Sequence, residues 1–147
     1  MNRRANQRGS VLIEFALAFL VIFAVFAGAF EFGYAFYAYN TLQNAVREGA
    51  RYASLKPYDS ASSTPSDSFL SAVQNMVVYS DPAGGQTPIL RGLSPSNVAL
   101  NVQTSGNAPM QVTVSITGYS LDAVFGTVAL QGKPSVSFPY LGIPTPP

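Results

Sequence analysis

The chain has 147 residues, a formal net charge of +1, 48% hydrophobic residues and only 10% charged residues. A soluble domain usually has about a quarter of its residues charged, so part of this chain is expected to lie in an apolar environment. The chain has no Cys and no His, which excludes thiol nucleophiles, disulfides, imidazole bases and the usual zinc sites. Its basic residues are scattered, so no nucleic-acid partner is expected.

A long apolar helix is predicted from Ser10 to about Leu55. Ser10 is a good N-cap, and no Pro follows until Pro57, which disfavours helix at the residue before it. Such a helix would be roughly 65–70 Å long, whereas the hydrocarbon core of a bilayer is about 30 Å thick. The pattern therefore predicts a membrane-spanning segment that continues well beyond the bilayer.

The charges ahead of this helix predict its orientation. Arg3, Arg4 and Arg8 precede the apolar run, and no acidic residue accompanies them. By the positive-inside rule, this end stays in the cytoplasm and the rest of the chain is exported. Residues 1–9 are therefore expected to be a cytoplasmic leader, 10–55 the apolar helix and 56–147 a small exported module.

Glu14 lies inside the apolar stretch, only five residues after Gly9. A charged group at the centre of a membrane-spanning helix costs about 2.5–3.5 kcal/mol on insertion scales, so it is a functional-site hypothesis by default. Cleavage of the peptide bond after Gly9 would expose an α-amine on Ser10 with a pKa of about 7.7–8. The carboxylate of Glu14 lies one turn further along, where it could pair with such a cation on a neighbouring subunit. The expected role of Glu14 is therefore to fix the register of assembly.

The helix continues past the membrane segment with two further patterns. The first is a cluster of aromatic residues: Phe30, Phe32, Tyr34, Phe36, Tyr37 and Tyr39. It is typical either of an interfacial aromatic belt or of a helix that other helices bury on several sides. The second is a face of mostly small residues that is expected to pack against a sheet: Leu42, Ala45, Val46, Gly49, Ala50 and Ala53.

The polar part of the chain is expected to form a small α+β module. A short amphipathic helix is predicted from Ser66 or Asp67 to about Tyr79. Alternating apolar residues predict two antiparallel strands, one with Val98, Leu100 and Val102, the other with Met110, Val112, Val114 and Ile116. A third strand is expected at the sheet edge over Ser135–Tyr140, because prolines bracket it. The segment Leu121–Leu130 fits either a short helix or a strand.

Two motifs resemble known pilin families. Arg8-Gly9 followed by Glu14-Phe15 is similar to the processing site of type IV prepilins. A downstream block resembles the TadE-like family of tight-adherence, or type IVc, pilus proteins. It comprises Glu31-Phe32-Gly33-Tyr34, Ala38-Tyr39-Asn40 and Ala45-Val46-Arg47-Glu48-Gly49-Ala50-Arg51-Tyr52-Ala53.

The resemblance implies a pilin-like α+β fold and a structural function. It implies that a membrane prepilin peptidase cuts between Gly9 and Ser10, with Arg8 ahead of the cut, and that Glu14 and Phe15 serve assembly. The mature helix would lie in the inner membrane until the pilus assembly machinery transfers it into a filament with other copies or related pilins. The extra module favours a minor pilin or pseudopilin, and a main filament subunit remains an alternative.

Several further residues are candidates for contacts between helices. These are Glu31, Gly33, Tyr34, Tyr37, Arg47, Gly49 and Arg51. Glu31 fits either an interfacial residue or a partner for Arg47, Arg51 or a neighbouring chain. The role of the Arg47–Arg51 block follows only from the resemblance.

Three alternatives compete with the pilin hypothesis. A secretory signal peptide could be cleaved at Ala27-Gly28-Ala29, although Glu14 interrupts its apolar region. A signal anchor could hold a periplasmic or surface binding module that does not polymerise, with Tyr58, Tyr79, Tyr119 and Tyr140 available to stack on sugars. An enzyme is disfavoured, since no base accompanies the hydroxyl-rich loops; no catalytic residue, metal or cofactor is expected.

Overall fold

The computed structural model describes residues 3–60, 62–106, 108–123 and 126–143. Its elements are α1 (Arg3–Leu55), α2 (Asp67–Tyr79), β1 (Val98–Ser105), β2 (Ala108–Ile116), β3 (Tyr119–Ala123), β4 (Gly126–Leu130) and β5 (Ser135–Pro139). One long apolar helix, one short helix and small antiparallel sheets make an α+β, pilin-like fold, as predicted. The chain divides into two compact units, the first ending at Phe36 and the second beginning at Tyr37, so the second contains the distal part of α1.

The helix α1 ends at Leu55 as predicted, but its predicted start at Ser10 is wrong. It begins at Arg3 and runs through Gly9 and Ser10 without a break, so Ser10 is not its N-cap. Extending an existing helix adds one hydrogen bond for each residue fixed, and a single Gly costs only about 1 kcal/mol relative to Ala. A good capping residue therefore does not stop a helix when nothing before it disfavours helix.

The face of mostly small residues on distal α1 is buried. Ala38, Leu42, Val46, Ala50 and Ala53 have no exposed surface. At Gly49 the closest neighbour is α2 and not the predicted sheet: a Cβ there would collide with Cγ2 of Val77 and lie 3.8 Å from the carbonyl oxygen of Val73. The two helices approach this closely because Gly49 has no side chain.

The helix α2 has the predicted bounds and the predicted cap. The Ser66 hydroxyl accepts a hydrogen bond from the Phe69 amide at 3.1 Å, which satisfies a backbone donor that the first turn leaves unpaired. Phe69, Val73, Val77 and Val78 are buried. The apolar face of this amphipathic helix therefore lies against the core.

The three-stranded sheet has the order β1-β2-β5 and is antiparallel throughout. The third strand lies at its edge, as predicted, and ends at Pro139. The ambiguous segment Leu121–Leu130 is mostly strand: β3 and β4 pair antiparallel as a separate two-stranded sheet. Leu121 and Leu130 are buried, which gives this hairpin an apolar face.

The register of β1 and β2 shifts at Met110. Gln103 pairs with Gln111 and Thr104 pairs with Pro109, so Met110 is the extra residue of a β-bulge. Its side chain is 62% exposed, so Met110 does not share the buried face of Val112, Val114 and Ile116. A bulge reverses the alternation of inward and outward side chains on one side of it, and a strict period of two misses this.

Candidate functional site

The predicted processing residues lie on a regular helix. Gly9 and Ser10 are both exposed within α1. A Cβ on Gly9 would meet nothing within 4 Å, so close packing in the chain does not explain the glycine. This segment is accessible to another protein along its described surface.

Glu14 and Phe15 are exposed on the same helix. Ser10 and Glu14 are four residues apart, a spacing that brings two side chains onto one face of a helix, one turn apart. Phe15 begins a ladder of stacked rings: its centroid lies 6.3 Å from that of Phe19, which lies 6.1 Å from that of Phe23. The acidic group therefore lies next to an aromatic ridge of its own helix.

The first compact unit leaves its apolar side chains uncovered. The following large residues of α1 are between 54% and 74% exposed: Val11, Leu12, Ile13, Phe15, Leu17, Phe19, Leu20, Val21, Ile22, Phe23, Val25, Phe26, Phe30, Phe32 and Phe36. Monomeric soluble proteins rarely expose contiguous apolar surface on this scale. Among the described residues, α1 is the one helix long and apolar enough to cross a membrane.

The other candidate contact residues have different environments. Tyr34 and Tyr37 are 42% and 61% exposed, and a Cβ on Gly33 would meet nothing within 4 Å. Glu31 is half-buried.

The distal signature residues separate into two groups. Arg47 and Arg51 are exposed, whereas Gly49 is buried and makes its helix contact with α2 of the same chain. The structure therefore gives Gly49 a packing role and leaves the two arginines available to solvent or to a partner.

The tyrosines considered for sugar stacking belong to the core. Tyr58 and Tyr119 are 1% and 5% exposed, and Tyr79 and Tyr140 pack against the core from its margin. Tyr58 meets Phe69 edge to face, with centroids 5.3 Å apart, and Tyr140 lies 6.2 Å away on another side. Burial raises the pKa of both Tyr58 and Tyr140.

The sequence reasoning missed a polar cluster at the start of α2. The carboxylate of Asp59 accepts hydrogen bonds from the hydroxyls of Ser66, at 2.5 Å, and Ser68, at 3.1 Å. The Ser66 hydrogen bond, more than any other influence, holds the pKa of Asp59 below its usual value. An acidic residue shortly before a Ser-x-Ser at a helix start is the signal that could have indicated it. The cluster shapes the α2 cap, and the described parts of the chain contain no group of acidic residues that could hold a metal ion.

The comparison with protein families bears on the same stretch of α1. Residues 9–51 match the family described as TadE-like protein. No curated protein and no solved structure matches the chain. The match spans the exposed apolar segment and the buried distal face but ends before the module that follows α1. Residues 9–51 are therefore similar to the TadE-like family, which is associated with Tad pili, and this confirms the resemblance that the motifs predicted.

Proposed function

We propose that the protein is a structural subunit of an extracellular type IVc, or Tad, pilus, either a minor pilin or pseudopilin or the main filament subunit. It is made as a prepilin, cut by the prepilin peptidase between Gly9 and Ser10, and held in the inner membrane by the first part of α1. The pilus assembly machinery then moves it into a filament on the cell surface. No enzyme activity, cofactor or nucleic acid enters this role.

The observation that carries the proposal is the uncovered apolar surface between Val11 and Phe36. Burying apolar surface contributes roughly 25 cal/mol for each Å² removed from water, so this surface is stable only in lipid or among other helices. A helix that is apolar on every side is typical of a buried position. A filament of packed helices provides that environment after the protein leaves the membrane.

Glu14 supplies the specificity that apolar packing lacks. After cleavage, Ser10 becomes the first residue of the helix, and its amine adds a cation to the positive end of the helix dipole. A carboxylate from a neighbouring copy would pair with this amine in a medium of low dielectric constant, where leaving either charge alone is costly. The amine of one copy and the carboxylate of its neighbour meet at only one axial offset between the two helices, so this ion pair selects one register.

The test has two measurements. Mass spectrometry of subunits from sheared surface fibres should find a chain that starts at Ser10, and deleting the peptidase should leave residues 1–9 attached. Glu14→Gln should still insert and be cleaved, yet be lost from fibres by at least about tenfold, the factor for ~1.4 kcal/mol. Glu48→Gln is the matched control, because Glu48 is exposed on distal α1.

Three outcomes would count against the proposal. A mature chain that starts at Phe30 would indicate a cleaved secretory signal. Normal incorporation of Glu14→Gln would contradict the role of the carboxylate in register. A processed chain that never enters fibres would favour a signal-anchored binding or adhesin module that does not polymerise.

A further inference from the structure

The end of α1 is held by a segment that lies far away in the sequence. The carbonyl oxygen of Ser54 accepts hydrogen bonds from the amides of both Leu141 and Gly142, each at 2.9 Å. The hydroxyl of Tyr140 donates to the carbonyl oxygen of Lys56 at 2.9 Å. The last carbonyls of a helix have no partner within it, so residues 140–142 supply hydrogen bonds that the helix cannot make for itself.

The fit at this point requires a glycine. A Cβ on Gly142 would lie 2.9 Å from the carbonyl oxygen of Lys56 and would also collide with the hydroxyl of Tyr140. The carbonyl belongs to the backbone, so it cannot move aside as a flexible side chain can. Only glycine allows the two backbone segments to approach this closely.

Further contacts hold each side of this contact in place. The amide of Tyr140 donates to the carbonyl oxygen of Met110 at 2.8 Å. This hydrogen bond continues the pairing of β5 with β2 one residue past the end of β5. The ring of Tyr140 meets Tyr58 at an interplanar angle of 70°. Ser54, on the helix side, is only 3% exposed, and its hydroxyl donates to the carbonyl oxygen of Arg51 at 2.8 Å.

We infer that residues 140–142 form a clasp that fixes the sheet module to the end of α1. The distal part of α1 already packs in the core with α2 and the strands. The clasp adds a hydrogen-bonded attachment at the last turn of the helix, beside the covalent link through Lys56 and Pro57.

The clasp predicts a local pattern of amide exchange, measurable by hydrogen–deuterium exchange on the full chain in detergent micelles. In the unmodified protein the amides of Leu141 and Gly142 should be protected by their hydrogen bonds to Ser54, although the side chain of Leu141 is 71% exposed. Gly142→Ala and Tyr140→Phe should each speed exchange at these amides by roughly tenfold or more, since each removes contacts that hold the clasp closed. Residues within α2 should keep their protection.

Matched controls distinguish the clasp from a general loss of stability. Gly126→Ala adds the same methyl where nothing lies within 4 Å, and Tyr79→Phe removes a hydroxyl from another half-buried tyrosine. Both should leave exchange at Leu141 and Gly142 unchanged. Exchange of these two amides at free-peptide rates in the unmodified protein would overturn the inference. So would equal effects of Gly142→Ala and Gly126→Ala. Neither measurement depends on pilus assembly, so the clasp and the proposed function can fail separately.

Discussion

Gly49 allows the distal part of α1 to pack closely against α2, because it has no side chain. The position that a Cβ would occupy is already taken by a methyl group of Val77, and Val77 has no exposed surface. Protein interiors are packed as densely as organic crystals. The extra methyl therefore forces one helix away from the other.

Gly49→Ala is expected to destabilise the protein by about 1–3 kcal/mol, the usual cost of overpacking a well-packed core. The free energy of unfolding, measured by denaturant titration of the full chain in micelles, checks this. Gly28→Ala is the matched control, because a Cβ at Gly28 would meet nothing within 4 Å. That control should be neutral or stabilise by up to about 1 kcal/mol; equal losses in both variants would contradict the packing role of Gly49.

Tyr58 and Tyr140 make the stability of the protein sensitive to alkali. Burial raises the pKa of both phenols above the ordinary value of 10.0, and the negative charge of Asp59 raises them further. The unfolded chain therefore loses these protons at a lower pH than the folded chain. Their contribution to stability is complete below the ordinary value and is lost as pH rises through the folded pKa values.

The expected result is a fall in the free energy of unfolding as pH rises past about 10. Tyr140→Phe should make this fall shallower, because one of the two shifted phenols is gone. Tyr79→Phe, which removes the hydroxyl of another tyrosine at the margin of the core, is the matched control. Identical slopes for all three proteins would show that Tyr140 does not couple folding to pH.

At the scale of one element, the start of α2 depends on a single hydroxyl. Ser66 caps the helix by accepting from the Phe69 amide, and it also donates to the carboxylate of Asp59. Ser66→Ala should cost about 1 kcal/mol, within the range of ~0.5–2 kcal/mol for a lost N-cap. Ser71→Ala is the control: that exposed hydroxyl donates to the carbonyl of Asp67 inside the helix, and Ala is the better helix former.

The same variant should also alter the acid side of the pH profile. Hydrogen bonding lowers the pKa of Asp59 from its ordinary value of 3.8, so its contribution is present above that value and is lost as pH falls through the folded pKa. Ser66→Ala removes the largest cause of this shift. Titration of the Asp59 carboxyl by NMR should show its pKa moving back up; an unchanged value would mean that Ser66 does not control it.

Elements with a strong local signal could be predicted from the sequence, and those set by long-range contacts could not. The bounds of α2 follow from the Ser66 cap and its apolar spacing, and the end of α1 follows from Pro57. The partner of Gly49 and the clasp of Gly142 each depend on a segment distant in the chain, and the bulge at Met110 depends on the register with the neighbouring strand. Residue propensities and hydrophobic periodicity describe local structure, so they could not predict these contacts between segments.

The candidate site divides in the same way. The helical position of Glu14 was predictable, because it lies inside the apolar run. The extension of α1 back through Gly9 to Arg3 was not predicted, because the capping preference of Ser10 indicated a start there, whereas an existing helix propagates through residues that do not stop it. The polar cluster around Asp59 was missed because Asp59 lies seven and nine residues before Ser66 and Ser68, and only the folded loop brings the three side chains together.

At the scale of the whole molecule, α1 contributes to two different environments. Its first part presents apolar side chains outward, whereas its distal part supplies one wall of the core that α2 and the sheets complete. The boundary between the compact units lies at Phe36 and Tyr37, inside the helix and not at its end. The smallest segment with a complete core should therefore begin near Tyr37 and not at Lys56.

Two fragments test this boundary. A fragment from Lys56 onward lacks Leu42 and Val46, which are both fully buried, together with the buried alanines of the same face. Removing a buried Leu side chain alone costs about 2–5 kcal/mol, and a whole domain is stable by only about 5–15 kcal/mol. The fragment should therefore lack a cooperative thermal transition, whereas a fragment from Tyr37 onward should melt cooperatively in aqueous buffer. Circular dichroism melting of both checks this, with Leu42→Ala in the longer fragment expected to lower its midpoint by several degrees. Cooperative melting of the shorter fragment above the usual range of ~45–65 °C would mean that the module does not need the helix for its core.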